Sequence, residues 1–498
     1  MNLNDLLLLS PEIIIAVTAF LVLTLDIIWK GDRRSAVILP WVTVAGAVAA
    51  LLAVVYIWPA ASDTYGIATD TGNFVPMLAL DRLAIFFKIL AVLTVALVGL
   101  SAVDFIAQRS PFRGEFYVFT LLAGLSLMLL SAATNLVMIY LSLEFLSISS
   151  YVMTAYLRRD DRSVEAAIKY LLYGAVASGV MLYGFSLLYG ATGSVDLATI
   201  ARRIGESQVS LTFVVSAVVM ILSGFGFKIA LVPFHQWSPD AYEGAPTPVT
   251  AFLSVGPKAA GFAVLIRVLV VALPEYSVNW TAILSLVSIL TMTVGNLVAL
   301  WQTNIKRMLA YSSIAQAGYM LIGLAAWSAE PGGWAGNGIS GILLFLFAYM
   351  FTNLGIFAVA IALENQLGTA NIDDYAGLIR RSPYLSIALI IFFLSLIGIP
   401  PTGGFMGKLF VFGAAIDRGL YILAGIGILN SVISVYYYFG VVRRAFFVEA
   451  EDDTPIRVSP ALNLVVTVTM IMTLLIALYG QPFINLANSS AQILAAAF

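Results

Sequence analysis

Seven basic side chains fall inside, or at the edge of, long apolar stretches of this 498-residue chain, and one glutamate lies in the middle of such a stretch. A charge at the centre of a bilayer costs about 2.5 to 3.5 kcal/mol even on the lenient insertion scale. Several such charges on one chain therefore need paired partners or a hydrated interior. The glutamate is Glu144, and the basic residues are Arg82, Lys88, Lys169, Lys228, Lys258, Arg267 and Lys408.

A lysine in a mostly apolar interior can act as a proton switch. Desolvation disfavours its charged form, and a nearby carboxylate restores the charge. Glu144 and Lys228 are predicted to form such a pair, with Lys258 and Lys408 as further stations. The alternative is a structural ion pair that locks two helices together.

The other candidate residues leave alternatives open. His235 follows Lys228 by seven residues, two turns on one face of an unbroken helix, and imidazole relays protons near neutral pH. Pro233 lies between them, so a structural role for His235 is an equal alternative. Lys169 either reaches the surface or has an interior role. Arg82 and Arg267 are expected to extend their charged ends to the membrane surface, and the role of Lys88 is left open. Asp240 and Glu243 are either solvated acids or part of a proton entry.

Membrane-spanning helices must hold these residues, since 61% of the chain is hydrophobic and 10% is charged, against about 25% charged in a soluble domain. We therefore predict an all-α polytopic membrane protein of about fourteen spans. Without cysteine and with one histidine, the chain cannot ligate an iron–sulfur cluster or a bis-histidine haem, and a net charge of −2 argues against nucleic acid. The predicted spans are 10–30, 36–58, 80–106, 114–132, 134–157, 163–190, 211–235, 246–272, 280–301, 305–327, 338–364, 384–415, 419–443 and 461–481.

The loop charges predict the orientation of the chain. Fifteen lysines and arginines lie in the odd-to-even connections and three in the even-to-odd ones. Basic loops stay in the cytoplasm, so both termini are expected on the outer side.

Two predicted spans are interrupted by glycine and proline beside a lysine. The seventh contains residues 224–235 and the twelfth contains residues 398–408. Proline removes a backbone donor, so each helix should unwind at a hydrated site. Broken helices at corresponding places predict two inverted five-helix repeats, each with one broken helix. The expected division is an N-terminal three-helix segment 1–110, repeats 111–275 and 276–446, and a C-terminal helix 447–498.

Residues 141–147, 225–247 and 398–408 resemble the antiporter-like, proton-translocating subunits of respiratory complex I. That family also includes large subunits of multisubunit sodium/proton antiporters and of energy-converting hydrogenases. Three features resemble its N-type branch, found in bacterial NADH–quinone oxidoreductases. The chain ends at Phe498, soon after its last span; Lys408 stands where the M-type branch typically has glutamate; and segments 151–159 and 166–174 look N-like.

The resemblance implies a proton pump subunit in a bacterial inner membrane, driven by quinone reduction elsewhere in its complex. FMN, iron–sulfur clusters and quinone would be bound by other subunits, with no cofactor on this chain, and the partners would be sister membrane subunits and the lipid bilayer. An ion-translocating subunit of a sodium/proton antiporter is the alternative, and an autonomous solute transporter is a third. The resemblance implies a role for each candidate: Glu144 as the carboxylate partner, Lys228 as the proton-carrying lysine of the first half, Lys258 and His235 as connecting elements, Lys408 as the exit-side lysine of the second half, and Lys169 as the sixth-span lysine.

Overall fold

The computed structural model describes residues 3–29, 33–61, 77–206, 210–328, 335–450 and 454–491. Within these ranges the chain is helical, and β-structure is limited to isolated bridges. Lys30, which belongs to the first basic connection, and Phe498 lie outside them. The helices are α1 Leu3–Leu8, α2 Ser10–Trp29, α3 Arg33–Ile57, α4 Arg82–Ser101, α5 Val103–Arg109, α6 Arg113–Ala132, α7 Leu136–Thr154, α8 Asp161–Thr192, α9 Leu197–Glu206, α10 Leu211–Ile229, α11 Trp237–Gly244, α12 Thr247–Ile266, α13 Ser277–Ala299, α14 Ile305–Ala325, α15 Gly338–Leu367, α16 Leu378–Arg381, α17 Pro383–Ile397, α18 Gly403–Asp417, α19 Tyr421–Phe447, α20 Pro460–Leu478 and α21 Gln481–Ala491.

Thirteen helical segments of the described residues are long and apolar enough to cross a membrane, and they coincide with thirteen of the predicted spans. The twelfth predicted span is instead divided into α17 and α18, of 15 residues each. At 1.5 Å per residue each piece covers about 22 Å, less than the roughly 30 Å of a bilayer core. The prediction of an all-α polytopic membrane protein is confirmed, whereas the inverted relation of the two halves stays a prediction.

Three helices form the centre of the bundle. The spanning parts of α12 and α15 are entirely buried and that of α14 is nearly so, whereas α8 and α13 expose most of theirs. A helix that is apolar all round belongs in the interior of a large bundle. Because α12, α14 and α15 are shielded on every side, polar groups on them must be satisfied inside the protein.

One buried ion pair fastens the N-terminal segment to this centre, and another lies within that segment. Arg267, which opens the π-helical turn Arg267–Ala272 at the end of α12, makes two hydrogen bonds of 2.7 and 2.8 Å to Asp81, and its Nε donates to the Ser131 carbonyl at 2.7 Å. The expectation that Arg267 snorkels to the surface is wrong: it is fully buried. Lys88, left open by the sequence, is buried in an ion pair with Glu12 at 2.7 Å.

One face of the bundle collects the basic connections and is called here the basic face. Arg109 donates to the Glu364 carbonyl and to Asn365, which joins the start of the fourth span to the end of α15. Arg444, near the end of α19, donates to Asp373 at 2.6 Å. Contacts of this kind bring together connections that are far apart in sequence. This agrees with the uneven distribution of basic residues, fifteen in one set of connections and three in the other.

Candidate functional site: a chain of buried lysines

The first predicted break is real and lies at Ile229, where α10 ends. Ala230 follows in the left-handed conformation with φ of 60°, and the Val232–Pro233 peptide is cis. Lys228 occupies the last turn of α10, is buried, and donates from Nζ to the Ser147 hydroxyl of α7 at 2.9 Å. The break therefore places a lysine in the interior beside unwound backbone.

Glu144 does not pair directly with Lys228. It lies one turn before Ser147 on α7, is partly exposed, and accepts a hydrogen bond from Ser178 of α8. Among the described residues, no ion pair within 4.0 Å joins the Glu144 carboxylate to the Lys228 ammonium. The predicted direct pair is thus replaced by an indirect one, in which Ser147 contacts the lysine and Glu144 faces Ser178.

Lys258 satisfies the backbone that this break frees. From the middle of α12 its Nζ donates to the carbonyl of Ile229, the last residue of α10, at 3.2 Å, and to the carbonyl of Ser313 in α14 at 2.7 Å. The lysine is buried. One ammonium therefore connects the first break to the central helix α14.

The second break has the same construction. α17 ends at Ile397, Gly398 follows with φ of 91°, and the Pro400–Pro401 peptide is cis before α18 begins. The Nζ of buried Lys408 in α18 donates to the carbonyls of Leu396 and Ile397, both at 2.9 Å, and to Ser431 at 2.6 Å. By its contacts the counterpart of Lys408 is Lys258 rather than Lys228, since both donate to carbonyls at the end of a broken helix.

Polar side chains link Lys258 to Lys408. Gln316 donates from Nε2 to the Leu396 carbonyl at 2.9 Å and lies 3.4 Å from the Tyr438 hydroxyl. Tyr438 in turn lies 2.5 Å from the hydroxyl of Ser312, the neighbour of Ser313 in the chain. We call the resulting row the polar axis: Ser147, Lys228, Ile229, Lys258, Ser313, Ser312, Tyr438, Gln316, Leu396, Lys408 and Ser431. The steps from Lys228 to Ile229 and from Ser313 to Ser312 are between neighbours in the chain, and the other steps are hydrogen bonds.

Sequence reasoning missed the middle of this axis. Ser312, Gln316 and Tyr438 are uncharged and lie in spans that read as ordinary apolar helices. The available signal was that Ser312 and Gln316 are four residues apart, hence on one face of a helix, in the least hydrophobic of the thirteen spans. A polar stripe of that kind in a buried helix needs internal partners.

His235 and Lys169 lie off the axis. Because α10 ends at Ile229, the seven-residue spacing from Lys228 to His235 does not put them on one helix face, and His235 is partly exposed in the turn before α11. Lys169 is 41% exposed and forms ion pairs with Glu165 at 2.9 Å and with Asp240 at 2.8 Å. Of the six candidate residues, the structure aligns Lys228, Lys258 and Lys408, with Glu144 one turn from the end of the axis.

Asp240 and Glu243 belong to an ionic cluster rather than standing free in solvent. Arg307 at the start of α14 reaches both carboxylates, at 2.7 and 2.9 Å, and Lys169 reaches Asp240. Burial raises the pKa of Asp240, but the hydrogen bonds from Lys169 and Arg307 outweigh it and hold that pKa below its usual value. This carboxylate therefore stays charged near neutral pH and fastens α11 to α8 and α14.

The axis contains side chains that can bind and release protons. Its titratable groups include three lysines bonded to neutral oxygens, and its hydroxyls both donate and accept hydrogen bonds. In the described part of the chain, no group of three or more His, Cys, Asp or Glu side chains is arranged to hold a metal ion.

Known proteins similar to this chain include subunits of NADH–quinone oxidoreductases. The family model described as "NADH:quinone oxidoreductase/Mrp antiporter, TM" matches residues 133–434. The NADH-quinone oxidoreductase subunit N of Heliobacterium modesticaldum is 43% identical over 431 residues, covering 86% of this chain and 89% of the relative. The NAD(P)H-quinone oxidoreductase subunit 2 of a Synechocystis strain is 42% identical and covers 96% of this chain and 92% of the relative.

The fold agrees with that relationship. A chain of respiratory complex I from Thermus thermophilus with bound aureothin superposes with a TM-score of 0.76 at 32% identity, covering 95% of this chain and 98% of that one. The chain belongs to the family of subunit N of the NADH–quinone oxidoreductases.

Proposed function

We propose that this chain moves protons across the membrane along the polar axis, as a subunit of an NADH–quinone oxidoreductase whose electron transfer takes place on other subunits. The observation that carries the proposal is the row of three buried lysines, Lys228, Lys258 and Lys408, each hydrogen-bonded to neutral oxygens, with polar side chains between Lys258 and Lys408. Buried charges inside membrane proteins are rare and mark ion or proton pathways. A structural role would be served by one compact ion pair and needs no row of lysines held by neutral oxygens.

In the proposed mechanism, a charge change in a neighbouring subunit acts first on Glu144. That carboxylate faces Ser178 and is one turn from Ser147, the acceptor for Lys228. Moving the carboxylate towards Lys228 stabilises the charged lysine, and moving it away favours release of the proton. Lys258 and Lys408 then pass protons between the two helix breaks.

We assign the remaining candidates peripheral roles. His235, whose Nδ1 has no hydrogen-bond partner among the described residues, is proposed as a relay beside the first break. Lys169 is proposed to hold α11 in place through Asp240. The basic face is assigned to the cytoplasm of a bacterial inner membrane, because basic loops are retained there.

The proposal is tested with Lys228→Ala in the assembled complex. NADH-driven quinone reduction and proton uptake into inverted vesicles are expected to fall together. Lys169→Ala is the matched control, because it removes a lysine that lies off the axis, and it should retain most of both activities. Unchanged activity in Lys228→Ala with normal assembly would show that Lys228 is only structural.

A second function, ion exchange in a multisubunit sodium/proton antiporter, is favoured by one observation. The family model that matches residues 133–434 names the Mrp antiporter beside NADH:quinone oxidoreductase in its description. Vesicles that acidify in response to a sodium gradient, without NADH or quinone, would support this function. Proton uptake that is independent of sodium would exclude it.

A further inference from the structure

Asn353 is a buried amide in the middle of α15 that the polar axis does not include. It is 1% exposed, and neither its Oδ1 nor its Nδ2 has a hydrogen-bond partner among the described residues. Another buried amide, Asn296, is bonded to two tyrosine hydroxyls, so an unpartnered amide is not the rule in this bundle. Buried polar groups without protein partners are usually satisfied by ordered water.

The helix geometry shows which way Asn353 faces. Tyr349 and Phe357 lie four residues before and after it, so the three share one face of α15. The Tyr349 hydroxyl donates to the Ser313 hydroxyl at 2.8 Å, and the Phe357 ring lies 6.5 Å from the ring of Tyr242 in α11. Both neighbours thus point towards α11 and α14, and Asn353 is placed between them.

This position adjoins the axis at Lys258. The Tyr242 hydroxyl lies 3.4 Å from the Ser313 hydroxyl, and the Ser313 carbonyl accepts from Lys258. Tyr349, Tyr242 and Ser313 therefore form a cluster of hydroxyls between Asn353 and the lysine. A water on Asn353 would extend that cluster towards the basic face.

A polar cavity opens at the basic-face end of the same helix. Its volume is about 320 Å³, and its lining includes Asp160, Glu243, Lys306 and Glu364. Glu364 is eleven residues beyond Asn353, about 16 Å along the helix. The buried side chains of Phe357 and Ile361 lie between them along this face of α15, so apolar side chains separate the cavity from the hydroxyl cluster.

We propose that Asn353 holds a buried water molecule and that this water is a station on a proton-uptake branch. The branch runs from the 320 Å³ cavity past Phe357 to the water, and from there through Tyr349 and Ser313 to Lys258. The branch rests on the proposed proton-carrying function of the axis. It joins the axis at Lys258, between the two breaks, and not at either end. Asn353 is a positioning residue in this scheme, because the water carries the proton.

The hydration is tested by a map of the purified complex at a resolution that shows water. Density within hydrogen-bond distance of the Asn353 amide is expected. A well-ordered side chain with no water beside it would overturn the proposal.

The route is tested with Asn353→Leu and Asn353→Ser in the assembled complex. Leucine has nearly the shape of asparagine but cannot hold water, so we expect roughly tenfold slower NADH-driven quinone reduction and a larger solvent deuterium isotope effect. Serine keeps space and a hydroxyl for the water and should restore most of the rate. Equal loss in both variants, or no loss in Asn353→Leu, would overturn the branch.

Two further variants separate this inference from the proposed function. Thr352→Val removes the neighbouring hydroxyl, which contacts Ser395 and Thr473 on another face of α15, and should leave the rate unchanged. Lys258→Met tests the axis itself. A slow Lys258→Met together with a normal Asn353→Leu would contradict the uptake branch alone, whereas normal rates in both would contradict the proposed function as well.

Discussion

At the scale of single residues, the lysines of the axis are held by neutral oxygens. Lys228 donates to a hydroxyl, Lys258 to two carbonyls, and Lys408 to two carbonyls and a hydroxyl. Two buried bases off the axis, Lys88 and Arg267, are paired with carboxylates instead, whereas a third, Lys306, donates to the Ala245 carbonyl. A nearby carboxylate stabilises the charged form of a basic side chain. A neutral acceptor holds the side chain in place without supplying an opposite charge. The carboxylate-paired bases Lys88 and Arg267 therefore suit the fastening of helices, whereas the neutral acceptors on the axis suit the proposed proton transfer.

Asp240 gives a residue-scale prediction with a defined pH dependence. Because its pKa is lowered in the folded protein, its ion pairs contribute stability that is fully present above the ordinary carboxyl pKa, near 4, and is lost as pH falls through the lowered value. Asp240→Asn should reduce the thermal stability of the subunit at pH 7, by about 1 kcal/mol or less since the cluster is partly exposed. Thermal unfolding of the purified complex at several pH values measures this. A deficit that grows as the pH is lowered towards 4 would contradict the assignment.

At the scale of elements, each break combines a helix end, a left-handed residue and a lysine that caps the freed carbonyls. Only glycine adopts positive φ without a steric penalty, and Gly398 has φ of 91°. A Cβ on Gly398 would also lie 2.8 Å from the Lys408 side chain. Backbone and lysine are therefore positioned together at this point.

Gly398→Ala is accordingly expected to slow turnover by more than its loss of folding stability accounts for. The left-handed conformation costs about 1 to 2 kcal/mol for alanine, and the methyl group displaces Lys408. Gly419→Ala is the matched control, because Gly419 has φ of 74° but open space around its Cβ position. Turnover of the assembled complex is the measurement, and equal losses in the two variants would show that backbone strain is the whole effect.

The Asp81–Arg267 pair gives a second prediction for elements. Asp81→Asn keeps a side chain able to cap α4 but leaves Arg267 buried without its carboxylate, which typically costs about 3 to 5 kcal/mol. Little assembled subunit is expected in the membrane. Adding Arg267→Gln removes the second charge and should recover part of the assembled amount, as quantified by immunoblotting of purified complex. A double variant no better than the single one would contradict a charge-based explanation.

The sequence predicted the breaks because proline and glycine act locally. Glycine and proline beside Lys228 and Lys408 marked both sites, and the structure confirms both interruptions. Arg267 was misjudged because Asp81, its partner, is 186 positions away in the chain. The link through Gln316 was missed for a related reason. Its amide donates to the Leu396 carbonyl, 80 positions away, and the sequence does not show that contact.

At the scale of the whole molecule, the bundle has an apolar surface around an interior that is also mostly apolar but contains buried charges. Exposed large hydrophobic side chains line α2, α3, α8, α19 and α20. Such a surface suits lipid and sister subunits. The difference in basic charge between the two ends of the bundle is expected to set its orientation in the membrane. That orientation in turn sets the direction of the proposed proton transfer.

The orientation can be tested directly because the chain contains no cysteine. We predict that Arg418→Cys is labelled in intact cells by a membrane-impermeant maleimide and that Arg159→Cys is labelled only after the membrane is opened. Both positions are exposed, at opposite ends of the bundle. The reverse pattern would place the basic face outside and contradict the proposed direction of transfer.

The contacts of Lys408 also determine how this residue can change its charge. An ammonium has three N–H donors and a neutral amine has two, and all three donors of Lys408 are in use. Two of the acceptors are carbonyls, which cannot donate, but the third is the Ser431 hydroxyl, which donates to Ile397 at 3.0 Å. When Lys408 gives up its proton, the Ser431 O–H can turn to face the new lone pair. Discharge of this lysine thus needs the rotation of one hydroxyl hydrogen and leaves every heavy atom in place.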